Sequence, residues 1–193
     1  MVDLKLSIRK LEGLQLACLK NALRLHFDSI LLAKKRSYGS SFAISVIASE
    51  ELGKACGIAE IIYCARSNGR IHPEYANFAK ALLWDHKLKQ GWFVRSLFDI
   101  FGPRDVYRRY QTIQYEKNNA IYAGVRKGNH HIVRPFLISA SKAKKQLRTV
   151  NTALTNAVRG TLDGTEYHEE VADQLFRSRR LLRKLMTTAR FIR

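Results

Sequence analysis

Apolar residues recur along this chain at spacings of three and four, and no strict alternation runs long enough to suggest a useful strand. Leu4, Leu11, Cys18, Leu25 and Leu32 follow one another every seven residues with Leu14 between them, which predicts a first helix over residues 4–35. The intermediate series continues to Asn21 and then Asp28, so two polar side chains fall on a leucine seam. Ser37, Gly39, Ser40 and Ser41 break the pattern and offer N-caps for a second helix. Its stripe reads Ile44, Ala48, Glu51, Ala55, Ile58, Ile62 and Ala65, and it stops near Ser67, Asn68 and Gly69. Glu51 is the one charged member of that stripe. A carboxylate there requires a partner or a solvated cleft, because burying it alone is costly.

Pro73 suits the first turn of a third helix, on which Tyr75, Ala79, Leu82, His86, Lys89, Phe93 and Leu97 share a face with His86 and Lys89 as its polar members. Beyond Phe101, Gly102 and Pro103, residues 104–122 read as helix and Arg126–Pro135 as a loop. A further helix starts near Ser139 and turns Ala140, Ala143, Leu147, Val150, Leu154 and Ala157 inward. The last, after Gly164, does the same with Val171, Leu175, Leu182, Leu185 and Ala189. The pattern predicts an all-α bundle of five or six helices forming a single helical domain over residues 1–193.

Composition adds a partner to this picture. With 46% hydrophobic residues in 193 the chain can fill a core. Its formal charge of +18 favours a polyanion such as RNA, DNA or an anionic membrane surface. From Arg177 onward there are seven basic residues and no acidic one, which makes Arg177, Arg180, Arg183 and Lys184 candidates for RNA contact; the same run is equally the wet side of a helix. Cys18, Cys56 and Cys64 form no CxxC pair and read as reduced thiols. The N-terminal stretch is too charged for a signal peptide, and no apolar run approaches a transmembrane segment, so a cytoplasmic protein is expected. No zinc spacing, Gly-rich phosphate loop or nucleophile elbow occurs, and neither a metal nor a cofactor is expected.

The polar residues on apolar faces carry the candidate chemistry. Glu50, four residues before Lys54, reads as an ordinary helical ion pair, whereas Glu51 lies on the apolar side. Gly53, costing about 1 kcal/mol against Ala in a helix interior, signals a close approach by another helix or a ligand. If the first three helices pack together, His86 and Lys89 can face Glu51 and Asn21 in one cleft. A histidine held by a carboxylate is suited to general acid or base work and a lysine to phosphate binding, and the same set could equally be a closed network that fixes helix register.

These residues also carry a family likeness. Asn21-Ala22 with Leu25 and Asp28, the run Ala48-Ser49-Glu50-Glu51-Leu52-Gly53-Lys54-Ala55, and His86-Lys87-Leu88-Lys89-Gln90 stand in an order and spacing that resembles the AbiV family of abortive-infection, phage-defence proteins within the HEPN group of helical domains. Lys117-Asn118-Asn119-Ala120-Ile121-Tyr122 is similar to a fourth element, with Ala120 in place of the usual Gly. The resemblance covers residues 15–125 and implies an AbiV/HEPN-like core over 1–125 with basic C-terminal helices, 126–193, packed on it. It further implies a homodimer, and an effector that interferes with RNA or translation, has RNA or the ribosome as target and is released by a phage-encoded trigger protein.

Many HEPN proteins are metal-independent endoribonucleases whose signature is an Arg and a following His with four to six residues between them. Arg126 with His131 and Arg66 with His72 fit that spacing; in a chain this rich in arginine about two such matches arise by chance. On this reading Glu51, His86, Lys89, Arg126 and His131 are the catalytic candidates, and Asn21, Asp28, Glu50, Lys54, Lys117 and Tyr122 the surrounding polar cluster. The alternative is a non-catalytic protein that grips RNA, the ribosome or a phage protein, with the polar cluster purely structural.

Overall fold

A computed structural model of the chain describes residues 6–97, 112–113, 115–118, 120, 124–125, 132–133, 138–163, 183–189 and 192. Described residues are almost all helical: α1 (Ile8–Lys34), α2 (Tyr38–Ser67), α3 (Pro73–Trp84), α4 (His86–Arg95) and α5 (Ala140–Asp163). Residues 115–118 and 183–189 are helical as well. The fold class is all-α, as the periodicity predicts. A two-residue antiparallel ladder pairs Gly124 with Val133 and Val125 with Ile132 at the ends of the segment read as a loop.

The chain divides into two compact units, residues 1–25 with 46–117 and residues 26–45 with 118–193, so α1 and α2 each contribute to both. In the second unit Ile30, Ala33, Leu147 and Ile192 form a buried cluster against which Phe27 packs. On α5, Ala143, Leu147, Val150 and Leu154 are buried as expected. Of the residues assigned to the last helix, Leu185 is fully buried, while Val171, Leu175 and Leu182 lie outside the described residues.

The first connection is tighter than the serine-rich sequence suggests. Ser37 N–H donates to Leu32 C=O (2.9 Å) and Arg36 N–H to Ala33 C=O (3.0 Å), a Schellman closure that places Arg36 at φ 60°. Helix α2 therefore begins at Tyr38, and Gly39 lies inside its first turn, where a Cβ would stand 3.2 Å from the Ala120 carbonyl oxygen. At the other end α2 stops where expected, with Gly69 at φ 67°.

The third predicted helix is two. Asp85 leaves the helical region (φ −84°, ψ 108°), and its carboxylate accepts from Lys87 N–H (2.8 Å) and Leu88 N–H (3.1 Å), which caps the start of α4. The break places His86 in the first turn of α4.

Two glycines on α2 set how closely its neighbours approach. A Cβ on Gly53 would collide with the Lys89 carbonyl oxygen and stand 2.9 Å from the Phe93 amide nitrogen. One on Gly57 would meet Leu82 of α3 and lie 3.4 Å from the Trp92 ring. The close approach expected at Gly53 is thus by the backbone of α4.

In the second unit, His26 is fully buried, and its Nε2 lies 3.0 Å from Asn151 Oδ1 on α5. Amide oxygen accepts, so Nε2–H donates; Asn151 Nδ2 in turn donates to the Leu185 carbonyl (3.3 Å). Burial lowers the His26 pKa to about 4, against a smaller upward pull from Asn151.

Gly53→Ala should destabilise the protein by about 1–3 kcal/mol through overpacking, whereas Gly13→Ala and Gly91→Ala, whose Cβ atoms meet nothing, should each stabilise by about 0.5–1 kcal/mol. Urea unfolding of the three variants checks this. A second expectation concerns pH. The folded His26 binds its proton less readily than the unfolded one, so its contribution is complete above pH 6.5 and is lost as pH falls from there towards 4. Between pH 6.5 and 5 the loss should be about 2 kcal/mol. Unfolding free energies across that range should show this slope in the native protein and lack it in His26→Gln.

Candidate functional site

The buried charge on α2 is Glu50, and the residue expected there, Glu51, is the partly exposed one. Glu51 pairs with Lys54 at 2.5 Å, so the ordinary helical ion pair is Glu51–Lys54 rather than Glu50–Lys54. The reason lies in the helix itself. A stripe identifies the inner face only when the opposite face is wet, and α2 is buried nearly all round: Ser45, Val46, Ala48, Ser49, Glu50, Leu52 and Ala55 are all inaccessible or nearly so.

Glu50 is surrounded by donors from two further segments. Its Oε1 accepts from Lys117 Nζ (2.8 Å) and Gln90 Nε2 (2.9 Å), and its Oε2 from His86 Nδ1 (2.8 Å). Burial alone would raise the Glu50 pKa. The hydrogen bonds from Lys117 and His86, the Lys117 charge and the Gln90 hydrogen bond together outweigh it and hold the carboxyl below its ordinary value. Glu50 is therefore an ionised acceptor. Lys117 is buried like its partner, but the His86 side chain is 59% exposed.

A second group of charges stands on the neighbouring face of α2. Lys89 is buried, and its pKa is lowered, first by that burial and then by the Lys54 charge, against opposite pulls from Glu50, Glu51 and Asp85. Cys18 of α1 also feels this group: its thiol is raised by burial, with Lys54 and Lys89 pulling it down and Glu51 up. All three cysteines are free thiols, Cys18 buried and the other two half-buried.

Of the polar residues singled out from the sequence, the structure brings Glu50, His86 and Lys117 into direct contact and sets Glu51, Lys54 and Lys89 beside them. Asn21 is not part of the Glu50 network; it is half-buried and accepts from Arg24 Nη2 at 3.0 Å. Asp28 is half-buried and belongs to the second unit. Arg66 donates to Glu12 at 2.6 Å, which gives it a structural partner within the first unit. Tyr122, Arg126, His131, Arg177 and Arg180 lie outside the described residues. Arg183 and Lys184 are exposed, the latter with its ammonium 3.9 Å from the Phe27 ring centroid.

Sequence reasoning missed Gln90 and His26. Gln90 stands one turn beyond His86, a spacing that marks it as a co-ligand once His86 is known to face Glu50. His26 has no such signal, because it sits one position away from the leucine seam.

Glu50→Gln should cost about 3 kcal/mol or more, because it leaves Lys117 buried beside a neutral group; Glu51→Gln, at a partly exposed pair, should cost about 1 kcal/mol or less. Denaturant unfolding at neutral pH measures both. Since the folded Glu50 pKa is depressed, its contribution is present above the ordinary value of 4.5 and disappears as pH falls through the folded value. The gap between the native protein and Glu50→Gln should accordingly narrow below pH 4.5.

Among the described residues no helix is long and apolar enough to cross a membrane, and no group of three His, Cys, Asp or Glu side chains is placed to hold a metal ion. No curated protein and no solved structure shows significant similarity to the chain. A model of the AbiV family matches residues 10–155, extending past the 15–125 span of the motif resemblance and through most of α5. With three quarters of its length matched, the chain belongs to the AbiV family of HEPN-type abortive-infection proteins.

Proposed function

We propose that this AbiV-family chain acts in phage defence by cleaving RNA without a metal ion, with His86 as the group that moves the proton. The observation that carries this reading is the Glu50–His86 pair. An ionised carboxylate accepting from Nδ1–H fixes the tautomer of the neutral ring, which leaves the Nε2 lone pair outside the Glu50 bond on a side chain that is mostly exposed. That arrangement suits a general base. His86 Nε2 would take the ribose 2′-hydroxyl proton as that oxygen attacks the adjacent phosphorus; the P–O5′ bond breaks, leaving a 2′,3′-cyclic phosphate and, after protonation, a 5′-hydroxyl.

Glu50 and Lys117 are positioning residues in this scheme, and Lys89 and Lys54 supply positive charge for the phosphate. Arg126 and His131 remain the sequence candidates for stabilising the phosphorane and protonating the leaving oxygen. Arg177, Arg180, Arg183 and Lys184 would hold RNA away from the reacting bond. The working state we take is a cytoplasmic homodimer, released by a phage-encoded protein and directed at RNA or the ribosome.

A second reading has its own support. Glu50 is saturated by three donors and Lys89 is buried, which is what a network that only fixes helix packing requires. In that case the protein grips RNA, the ribosome or a phage protein without cutting.

Incubating the purified protein with cellular RNA in EDTA separates the two, beside His86→Ala and His131→Ala. The nuclease reading expects cleavage products ending in cyclic phosphate and a loss of about 100-fold or more in His86→Ala. Because His86 is largely exposed, the variant should keep its melting temperature within a few degrees. Cleavage untouched by His86→Ala removes this residue from the chemistry. RNA binding that weakens steeply with salt and is never followed by cleavage, even with a phage trigger present, establishes the second reading instead.

A further inference from the structure

We propose that the outward face of α5 is an RNA-binding surface that grips the sugar-phosphate backbone, an inference that rests on the RNA-directed reading above. Helix α5 buries Ala143, Leu147, Val150, Leu154 and Val158. Opposite them Lys142, Lys145, Arg148 and Arg159 are all exposed. At 100° per residue these four fall within an arc of about 120°. The helix contains no acidic residue before Asp163.

The charges of α5 run against its dipole. Helices α1, α2 and α4 each carry a basic residue in the last turn, where the negative end of the dipole favours it, and α3 has Glu74 in the first turn. Helix α5 has no acid in its first turn and no base in its last; Lys142, Lys144, Lys145 and Arg148 gather in its first half, with Arg159 apart from them, and its one acid stands at the end. Helix stability does not account for that order. An anion laid along the face does, because it offsets both the dipole mismatch and the repulsion among the cations.

The form of the face favours RNA over the other polyanions. Lys142 and Arg159 are separated by about 25 Å along the axis, the length of roughly seven stacked nucleotides at about 3.4 Å each. The threonine hydroxyls are taken up by the helix itself: Thr149, Thr152 and Thr155 donate to the carbonyls of Lys145, Arg148 and Asn151. What remains outward is chiefly cationic, a surface for phosphates rather than for base edges. A membrane-surface helix inserts an apolar face, and the apolar face of α5 is already buried.

The test uses the full chain in a His86→Ala background, so that the probe, a labelled 20-nucleotide oligouridine, stays intact. Replacing Lys142, Lys145, Arg148 and Arg159 by Gln should weaken binding at least tenfold at low salt and make the log–log salt slope shallower by about 3, at roughly 0.7 per phosphate contact on a single strand. The melting temperature should not fall. A charge-matched control, with Arg9, Lys20, Lys35 and Arg70 replaced by Gln, should keep most of the affinity and slope. Should the fourfold variant fold poorly, Lys145→Gln with Arg148→Gln provides a milder form, with a slope change of about 1.4.

Equal losses in the control would mean that net charge alone is at work, and unchanged binding in the α5 variant would likewise overturn the proposal while leaving the RNA-directed reading standing. Absence of RNA binding by the unsubstituted protein would sink both. If α5 substitution instead abolishes binding to phosphatidylserine vesicles and spares RNA, the surface is a membrane contact and the proposal is wrong.

Discussion

An ionised carboxylate with only 4% of its side chain exposed cannot be left without donors, and that requirement organises the first unit of this protein. Glu50 sits on a helix surrounded by apolar residues, so its three partners must come from elsewhere in the sequence: His86 and Gln90 from α4, and Lys117 from the helical residues beyond. Each donates to a carboxylate that is itself almost wholly buried. The pairing with Lys117 is a buried ion pair, worth little against a hydrophobic substitute but costly to break from one side. Such a network contributes less to net stability than to deciding which residues of three segments meet.

The same residues set the register of α2 against α4. Glu50 meets His86, Gly53 meets Lys89, and Gly57 meets Trp92. The two helices therefore run in the same direction, and the sequence offset between partners changes by a single residue over two turns. Gly53 and Gly57 remove the side chains that would hold the axes apart, and Asp85 restarts the helix so that His86 opens the ladder. Close packing, the helix break and the carboxylate–histidine pair are one arrangement. An added methyl at Gly53 would act on the Glu50–His86 distance one turn away.

Much of this was legible in the sequence, and the misses have physical causes. Heptad spacing located α1, serine and glycine breaks bounded α2, and an interior glycine marked the close crossing. His86 could be named because a polar residue on an apolar face needs explanation, Lys54 by its helical spacing from Glu50, and Lys117 through the family resemblance. The choice between Glu50 and Glu51 was not legible, since adjacent residues on a helix differ by 100° and around Glu50 α2 is buried on nearly every side. Asp85 was hidden for a different reason: Leu82, His86, Lys89 and Phe93 keep helical spacing across the break, so periodicity alone carried the helix straight through. The family resemblance found the motifs but stopped short of α5, whose signal lies in amphipathic pattern rather than in a motif.

Within the Glu50 network the four groups are not equivalent. Glu50, Gln90 and Lys117 are buried, and a substitution at any of them changes packing and chemistry together. His86 alone has one nitrogen in the dry network and a side chain largely open to solvent. The structural demand on it is confined to Nδ1, where it supplies one of three donors to Glu50. A histidine is not needed for that task, because an asparagine or a lysine could donate there as well. What imidazole adds is a second nitrogen, placed by the tautomer that the first one fixes, and that addition has meaning only at the solvent boundary. Function and folding can be separated at this residue, which is why the nuclease reading places the proton transfer on it rather than on the better-buried Lys89.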